Sequence, residues 1–305
     1  MRRGLKWVGI LIGLLIIIGG GLWWFQQRNQ SATPITTHHV TPTKSVRVVA
    51  VGDSLTQGIG YADDHQGYLP MLKQQLETDY RVKVRTQNFG IGGERSDQID
   101  KRVTHKARLR LALKRADVIA VTVGGNDLLQ KLEKNILVDS SSQLAAKLAP
   151  AKVTYQQKLT QLIQDIHQVN PKAQVYLFGI YNPVYVYFST ASMITDAVDQ
   201  WNQVNQKVAS QVSGTHFVTI NQQLSYGQYQ SETAKAKLKQ ETKKTNQQYV
   251  DPAEVEKLLQ DQTSDEKNDY LSTHDHFHPN KRGYTIMAKQ LKQAIGQHVN
   301  WSTRN

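Results

Sequence analysis

The chain has 305 residues, enough to bury a full hydrophobic core in one large domain without disulfide or metal staples. It contains no cysteine, which excludes disulfides, thiolate metal sites and a cysteine nucleophile, leaving serine, threonine, lysine or a metal for any covalent chemistry. The net charge is +12, four of it from Arg2, Arg3, Lys6 and Arg28 with no acid before residue 31; the rest of the surface is basic enough to attract polyanions such as phospholipid headgroups or wall polymers.

Val8 to Phe25 runs without a charge, and at about 1.5 Å per helical residue it approaches the ~30 Å of a hydrocarbon core. Residues 1–30 are therefore expected to hold a cytoplasmic tip and one transmembrane helix. Trp7, Trp23 and Trp24 would sit at its interfaces, and Arg2, Arg3 and Lys6 would keep the N-terminus in the cytoplasm. The competing reading is a secretory signal cleaved near Gly19-Gly20-Gly21, against which the apolar run continues through Leu22, Trp23, Trp24 and Phe25. Residues 31–45, with Pro34, Pro42, several threonines and His38-His39, have no apolar period and form a stalk. Residues 46–305 would then be one extracytoplasmic domain.

Val46 to Val51 is a β-branched run ending at Gly52, as expected of a buried parallel strand. A helix is predicted from Leu69-Pro70, with proline in its first turn, followed by strands over Val82 to Phe89 and Ala116 to Val123. Leu159, Leu162, Ile163, Ile166 and Val169 recur at helical spacing until Asn170-Pro171. Strands follow at Ala173 to Gly179 and His216 to Ile220, and Tyr284, Met287, Ala288, Leu291 and Ile295 mark a closing helix. Alternation of strand and helix implies an α/β fold with a parallel sheet covered on both faces. The stretch from Gln222 to Tyr270 interrupts this pattern as a basic insertion with Lys235, Lys237, Lys239, Lys243 and Lys244, too polar for a core of its own. Within it, only Asp251-Pro252-Ala253-Glu254 with Val255, Leu258 and Leu259 carries a helix signal, and that apolar face should dock on the main domain. The remainder is expected to be a mobile cover.

Four stretches carry chemistry. Gly52-Asp53-Ser54-Leu55 places Ser54 where the first strand hands over to a loop or helix, a position that exposes a nucleophile and equally suits a helix cap. Thr56 stands where a G-x-S-x-G elbow would have its second glycine, which disfavours an ordinary α/β-hydrolase. Asn88-Phe89-Gly90-Ile91-Gly92-Gly93 and Gly124-Gly125-Asn126-Asp127 both follow predicted strands, and a glycine amide at Gly93 with a side-chain amide at Asn126 suits a developing oxyanion. In Asp275-His276-Phe277-His278-Pro279 a three-residue spacing can bring Asp275 to His278, the pair that would orient and use a general base. His274, His276 and His278 at alternate positions also permit a strand-borne metal site.

These four blocks, in this order, resemble the SGNH/GDSL hydrolase family over nearly all of Val46 to Ile295. The turns from Gly52 to Gly58 and at Tyr181-Asn182-Pro183 are similar to its membrane-anchored lipase/acylhydrolase branch in Gram-positive bacteria. The resemblance implies a three-layer α/β/α flavodoxin-like fold and hydrolysis of carboxylic esters or thioesters. It implies Ser54 as nucleophile, His278 and Asp275 as base and acid, and an oxyanion hole made by Ser54, Gly93 and Asn126. No cofactor and no metal are expected. The partners are an ester substrate, the membrane through the N-terminal helix and an anionic envelope surface, with no nucleic acid. A carbohydrate O-acetylesterase acting on wall glycans and an inactive envelope-binding scaffold are the alternatives.

Overall fold

The computed structural model describes residues 44–61, 67–135, 138, 140–243, 252–261, 265–299 and 301, all within a single unit, Pro42–Asn305. The expected transmembrane helix, the stalk to residue 43, Lys244 and Asp251 lie outside the described residues. Among the described residues no helix is long and apolar enough to cross a membrane.

Five strands, β1 (Ser45–Gly52), β2 (Lys83–Gly90), β3 (Val118–Thr122), β4 (Gln174–Phe178) and β5 (Thr215–Val218), form one sheet in the order β2-β1-β3-β4-β5. Every pairing is parallel. The five predicted strands correspond to these. The reason is the β-branched, two-sided burial of the central strands: Val48 and Ala50 of β1, with Val118 and Ala120 of β3, enter one core. Val49 and Val51, with Ile119 and Val121, enter the other.

The helices are α1 (Ser54–Gln57), α2 (Leu69–Tyr80), α3 (Ser96–His105), α4 (Ala107–Lys114), α5 (Gly125–Asn135), α6 (Ser141–Val169), α7 (Ser192–Gln211), α8 (Asn221–Tyr226), α9 (Glu232–Lys243), α10 (Pro252–Gln260) and α11 (Lys281–His298). Residues of α3 to α7 pack on one face of the sheet, and α2 and α11 on the other, giving three layers. Strand order reverses between β1 and β3, and in open parallel sheets the crevice beyond the carboxyl ends at such a reversal is where ligands bind. Ser54 follows β1 directly, and Asn126 lies just beyond β3.

Two expectations are corrected. The helix carrying Leu159 to Val169 begins much earlier, at Ser141, and continues through Pro150, because Leu144, Leu148 and Tyr155 extend its buried stripe. The Gln222 to Tyr270 stretch holds more order than one helix, since α9 is formed and docked as well. Leu238 packs with Tyr185 and Val186, the Thr242 hydroxyl meets that of Ser189 at 2.6 Å, and the Lys235 ammonium lies 4.6 Å from the centre of the Tyr226 ring. Two buried contacts on a lysine-rich helix are too sparse to register as an apolar period. The expected docking of α10 holds, with Val255, Leu258 and Leu259 against the main core.

Candidate active site

At the end of β1 the chain turns into the four-residue helix α1. Asp53 is its N-cap: the carboxylate accepts from the Leu55 amide at 3.0 Å and from the Thr122 hydroxyl at 2.7 Å. The Thr122 oxygen in turn meets the Thr56 hydroxyl at 2.8 Å. Burial pushes the Asp53 carboxyl above its ordinary value, opposed by the bonds from Thr122 and Leu55 and by the charge of His278. This buried polar knot fixes the turn that presents Ser54 at the carboxyl edge of the sheet. The helix-cap reading of the Asp-Ser pair holds, with Asp53 capping the helix that carries Ser54.

His278 reaches this turn from a loop before α11. Its Nε2 lies 2.8 Å from Ser54 Oγ, and its Nδ1 lies 2.6 Å from Asp275 Oδ2. The other Asp275 oxygen accepts the amides of Phe277 at 3.0 Å and His278 at 2.9 Å, so the carboxylate is held by its own loop. Burial pushes the Asp275 carboxyl up, but the ring bond and charge of His278 and the two amides outweigh it and leave the group below its ordinary value. An ionised carboxylate on Nδ1 makes that nitrogen the donor and turns the Nε2 lone pair toward the serine hydroxyl. Gly60 makes the approach possible: at φ +90, a Cβ there would come within 2.7 Å of His278 Cβ. The Tyr181 hydroxyl donates to Phe277 O at 2.5 Å and that of Tyr284 to Ile59 O at 2.7 Å, fastening both loops to the core.

The glycine and asparagine blocks meet at the same edge. Gly93 has φ +77 and open space where a side chain would stand, so backbone conformation and not packing demands glycine there. Asn126, in the first turn of α5, donates one amide hydrogen to Glu94 O at 2.9 Å. Next to it Asp127 accepts both the Ser96 amide at 2.9 Å and the Ser96 hydroxyl at 2.6 Å, which joins the start of α5 to the start of α3. Burial raises the Asp127 carboxyl, opposed by these bonds. Arg102 completes the frame: it pairs with Glu94 and donates to Phe89 O at 2.9 Å and Gly52 O at 3.1 Å. Sequence reasoning missed Asp127, Ser96, Arg102 and Thr122 as supports. Only Asp127, beside Asn126, stood within a recognised block.

The three histidines do not converge. His276 is fully buried with its Nδ1 2.5 Å from Glu266 Oε2 and its Nε2 2.7 Å from Asp261 O, so it braces the loop from inside. Among the described residues no group of three or more histidine or acidic side chains is arranged to hold a metal ion. The loop turns at His276, which has φ 50, instead of extending as the strand a triple-histidine site would need.

The family model of GDSL-like lipases/acylhydrolases matches residues 50–236 of this chain. The Bacillus subtilis protein YpmR is 29% identical over 260 residues, covering 84% of each chain. The spore germination lipase LipC of Bacillus licheniformis is 27% identical over 146 residues, 46% of this chain and 65% of LipC. Among solved structures, the lipase Lip_vut3 from a goat rumen metagenome superposes with a TM-score of 0.56 at 22% identity, over 82% of this chain and 97% of its own. A catalytic mutant of the acetylxylan esterase Axe2 from Geobacillus stearothermophilus gives 0.52 at 18% identity, over 87% and 100%. At these identities the two structures speak for the fold alone.

Proposed function

Because the chain belongs to the GDSL-like lipase/acylhydrolase family, we propose that it hydrolyses carboxylic or thio esters with Ser54 as nucleophile, His278 as general base and Asp275 as its orienting acid. One observation carries the reading: the continuous hydrogen-bond line from Ser54 Oγ through His278 to Asp275, at the carboxyl edge of the sheet. Ser54 Oγ attacks the acyl carbon as its proton passes to His278 Nε2, and the carbonyl oxygen becomes an oxyanion. The amides of Ser54 and Gly93 and the second N–H of the Asn126 side chain supply its donors. Collapse expels the alcohol or thiol, which takes the proton from His278. Water then attacks the acyl-serine through the same base, releasing the acid and restoring the hydroxyl.

We place this chemistry outside the cell membrane, anchored by residues 1–30, on the strength of the uncharged run from Val8 to Phe25 and the flanking Arg2, Arg3 and Lys6. Carbonate-resistant sedimentation of the full chain with membranes tests the anchor, and a mature N-terminus beginning after Gly21 would replace it with secretion. The catalytic reading is tested by Ser54→Ala, which should abolish hydrolysis of p-nitrophenyl acetate and labelling by a fluorophosphonate while leaving the circular dichroism spectrum unchanged. Retention of more than a few per cent of wild-type turnover would dismiss Ser54 as nucleophile.

A further inference from the structure

Beside the candidate site lies a cavity of about 530 Å³, within the ~300–1,000 Å³ usual for small-molecule pockets. Two of its lining residues, Gly125 and Phe277, immediately precede Asn126 and His278 in the chain, so the cavity adjoins both the oxyanion donors and the base. Its walls are hydrocarbon: Leu128, Leu129 and Leu132 from α5, and Ile194 and Val198 from α7. Helix α10 adds Val255 and Leu259. Among the described lining residues Glu133 alone carries a charge. We infer that this cavity receives the acyl chain of the ester, with α10 as the wall that sets how long a chain fits; the inference rests on the serine acylhydrolase reading above.

A sugar acceptor needs hydroxyl-matching donors and acceptors along its pocket; here leucine, isoleucine and valine dominate, Glu133 and Gln260 are the polar exceptions, and the Tyr181 hydroxyl already donates to Phe277 O. An aliphatic chain needs only area. Each methylene buried there strengthens binding about fourfold, so chain length becomes a readout of occupancy. Helix α10 belongs to the stretch that interrupts the strand–helix alternation, and it is fastened where it matters. The carbonyl of Asp261, one residue past its end, bonds the His276 ring, and the same ring holds Glu266, so the wall is tied to the loop bearing His278. The basic helix α9, with Lys237 and Lys239, contributes no residue to the described lining.

The experiment is the kcat/KM of the full-length protein over p-nitrophenyl acetate, butyrate, hexanoate, octanoate and palmitate, with calorimetric binding of octanoate to the Ser54→Ala protein. Rates should rise about fourfold per methylene from acetate to hexanoate, level off by octanoate, and fall with palmitate. Leu259→Trp and, separately, Val255→Phe should lower the octanoate-to-acetate ratio at least tenfold and weaken octanoate binding to the same degree. Both positions are only partly buried, and circular dichroism verifies each fold. A flat length profile in an active enzyme, or a ratio unmoved by both substitutions, overturns the acyl site. Preference for acetylated xylan over every aliphatic ester does the same in favour of a glycan. If no ester is hydrolysed at any length, the catalytic reading fails, while octanoate binding to the Ser54→Ala protein still decides the fate of the cavity.

Discussion

Asp127→Ala is the sharpest probe of how the fold holds the proposed oxyanion donors, because Asp127 touches neither Ser54 nor His278 and yet joins the start of α5, which carries Asn126, to the start of α3. The substitution removes two hydrogen bonds, to the amide and the hydroxyl of a fully buried Ser96. Bonds to an ionised acceptor contribute about 1.5–3 kcal/mol each, and the stranded Ser96 groups add a desolvation cost. Against this stands the burden of a carboxylate that burial has already raised above its ordinary value, so the net loss should be about 2–4 kcal/mol. A domain of this size survives that loss at 25 °C. Urea denaturation followed by tryptophan fluorescence measures it, with the buried Trp201 as reporter. Loosening α5 against α3 also frees Asn126 from its register with Gly93, so kcat should fall roughly ten- to hundredfold, less than the ~10²–10³ for losing a donor outright. Asp127→Asn, which keeps one acceptor and sheds the buried charge, should be milder on both counts. A wild-type denaturation midpoint together with a kcat within twofold of wild type would refute the idea that this carboxylate frames the site.

Asn126→Ala should lower kcat by about 10²–10³ with KM nearly unchanged, since its donor acts mainly in the transition state; steady-state kinetics on p-nitrophenyl butyrate decide it, and near-normal turnover would reassign the donor. Asp275→Asn should cost about 10³–10⁴ in kcat by releasing the imidazole from its tautomer. It should also flatten acid sensitivity. The folded carboxyl titrates below the unfolded ~3.9, so its stabilisation is complete above about pH 4 and is lost as pH falls through the lower folded value. Melting temperatures of wild type and variant should therefore converge as pH falls below about 4, and a constant gap would contradict this. Exchanging Lys235, Lys237, Lys239, Lys243 and Lys244 for glutamine should weaken binding to phosphatidylglycerol vesicles at low salt, and unchanged sedimentation with them would remove α9 from any anionic contact.

What was legible in the sequence divides by the range over which its physics acts. Strands β1, from Val48 on, and β3 announced themselves because two-sided burial demands β-branched or small residues, and their ends carried the glycines that a sharp turn requires. The pairing of Asp275 with His278 was legible because three residues of spacing suffice to close it. Ser54 to His278 was legible only through the order of the four motif blocks and the family they resemble, since those residues are 224 positions apart and the order of strands brings them together. The same limit hid the supports. Asp127 to Ser96 joins two helix starts, Arg102 to Gly52 a helix to a strand end, and Thr122 to Asp53 two strand ends, and none leaves a periodic trace in the chain.

His276 shows the limit most plainly. In sequence it stands between His274 and His278 as a third ligand candidate, and its alternate spacing counts for a metal only if the loop runs as a strand. A left-handed turn at His276 sends the ring inward to Glu266 and Asp261, away from Ser54. A buried ring braced on both nitrogens costs the fold little, because its polar atoms are satisfied, and it gives the neighbouring Asp275 and His278 a fixed platform. Of the three histidines whose spacing invited a metal, His278 belongs to the proposed proton relay with Asp275, and His276 is an inward anchor. The anchor is also the point where the residue after α10 is fastened to the loop that bears His278. A change at that junction would reach both the proposed acyl wall and the proposed base.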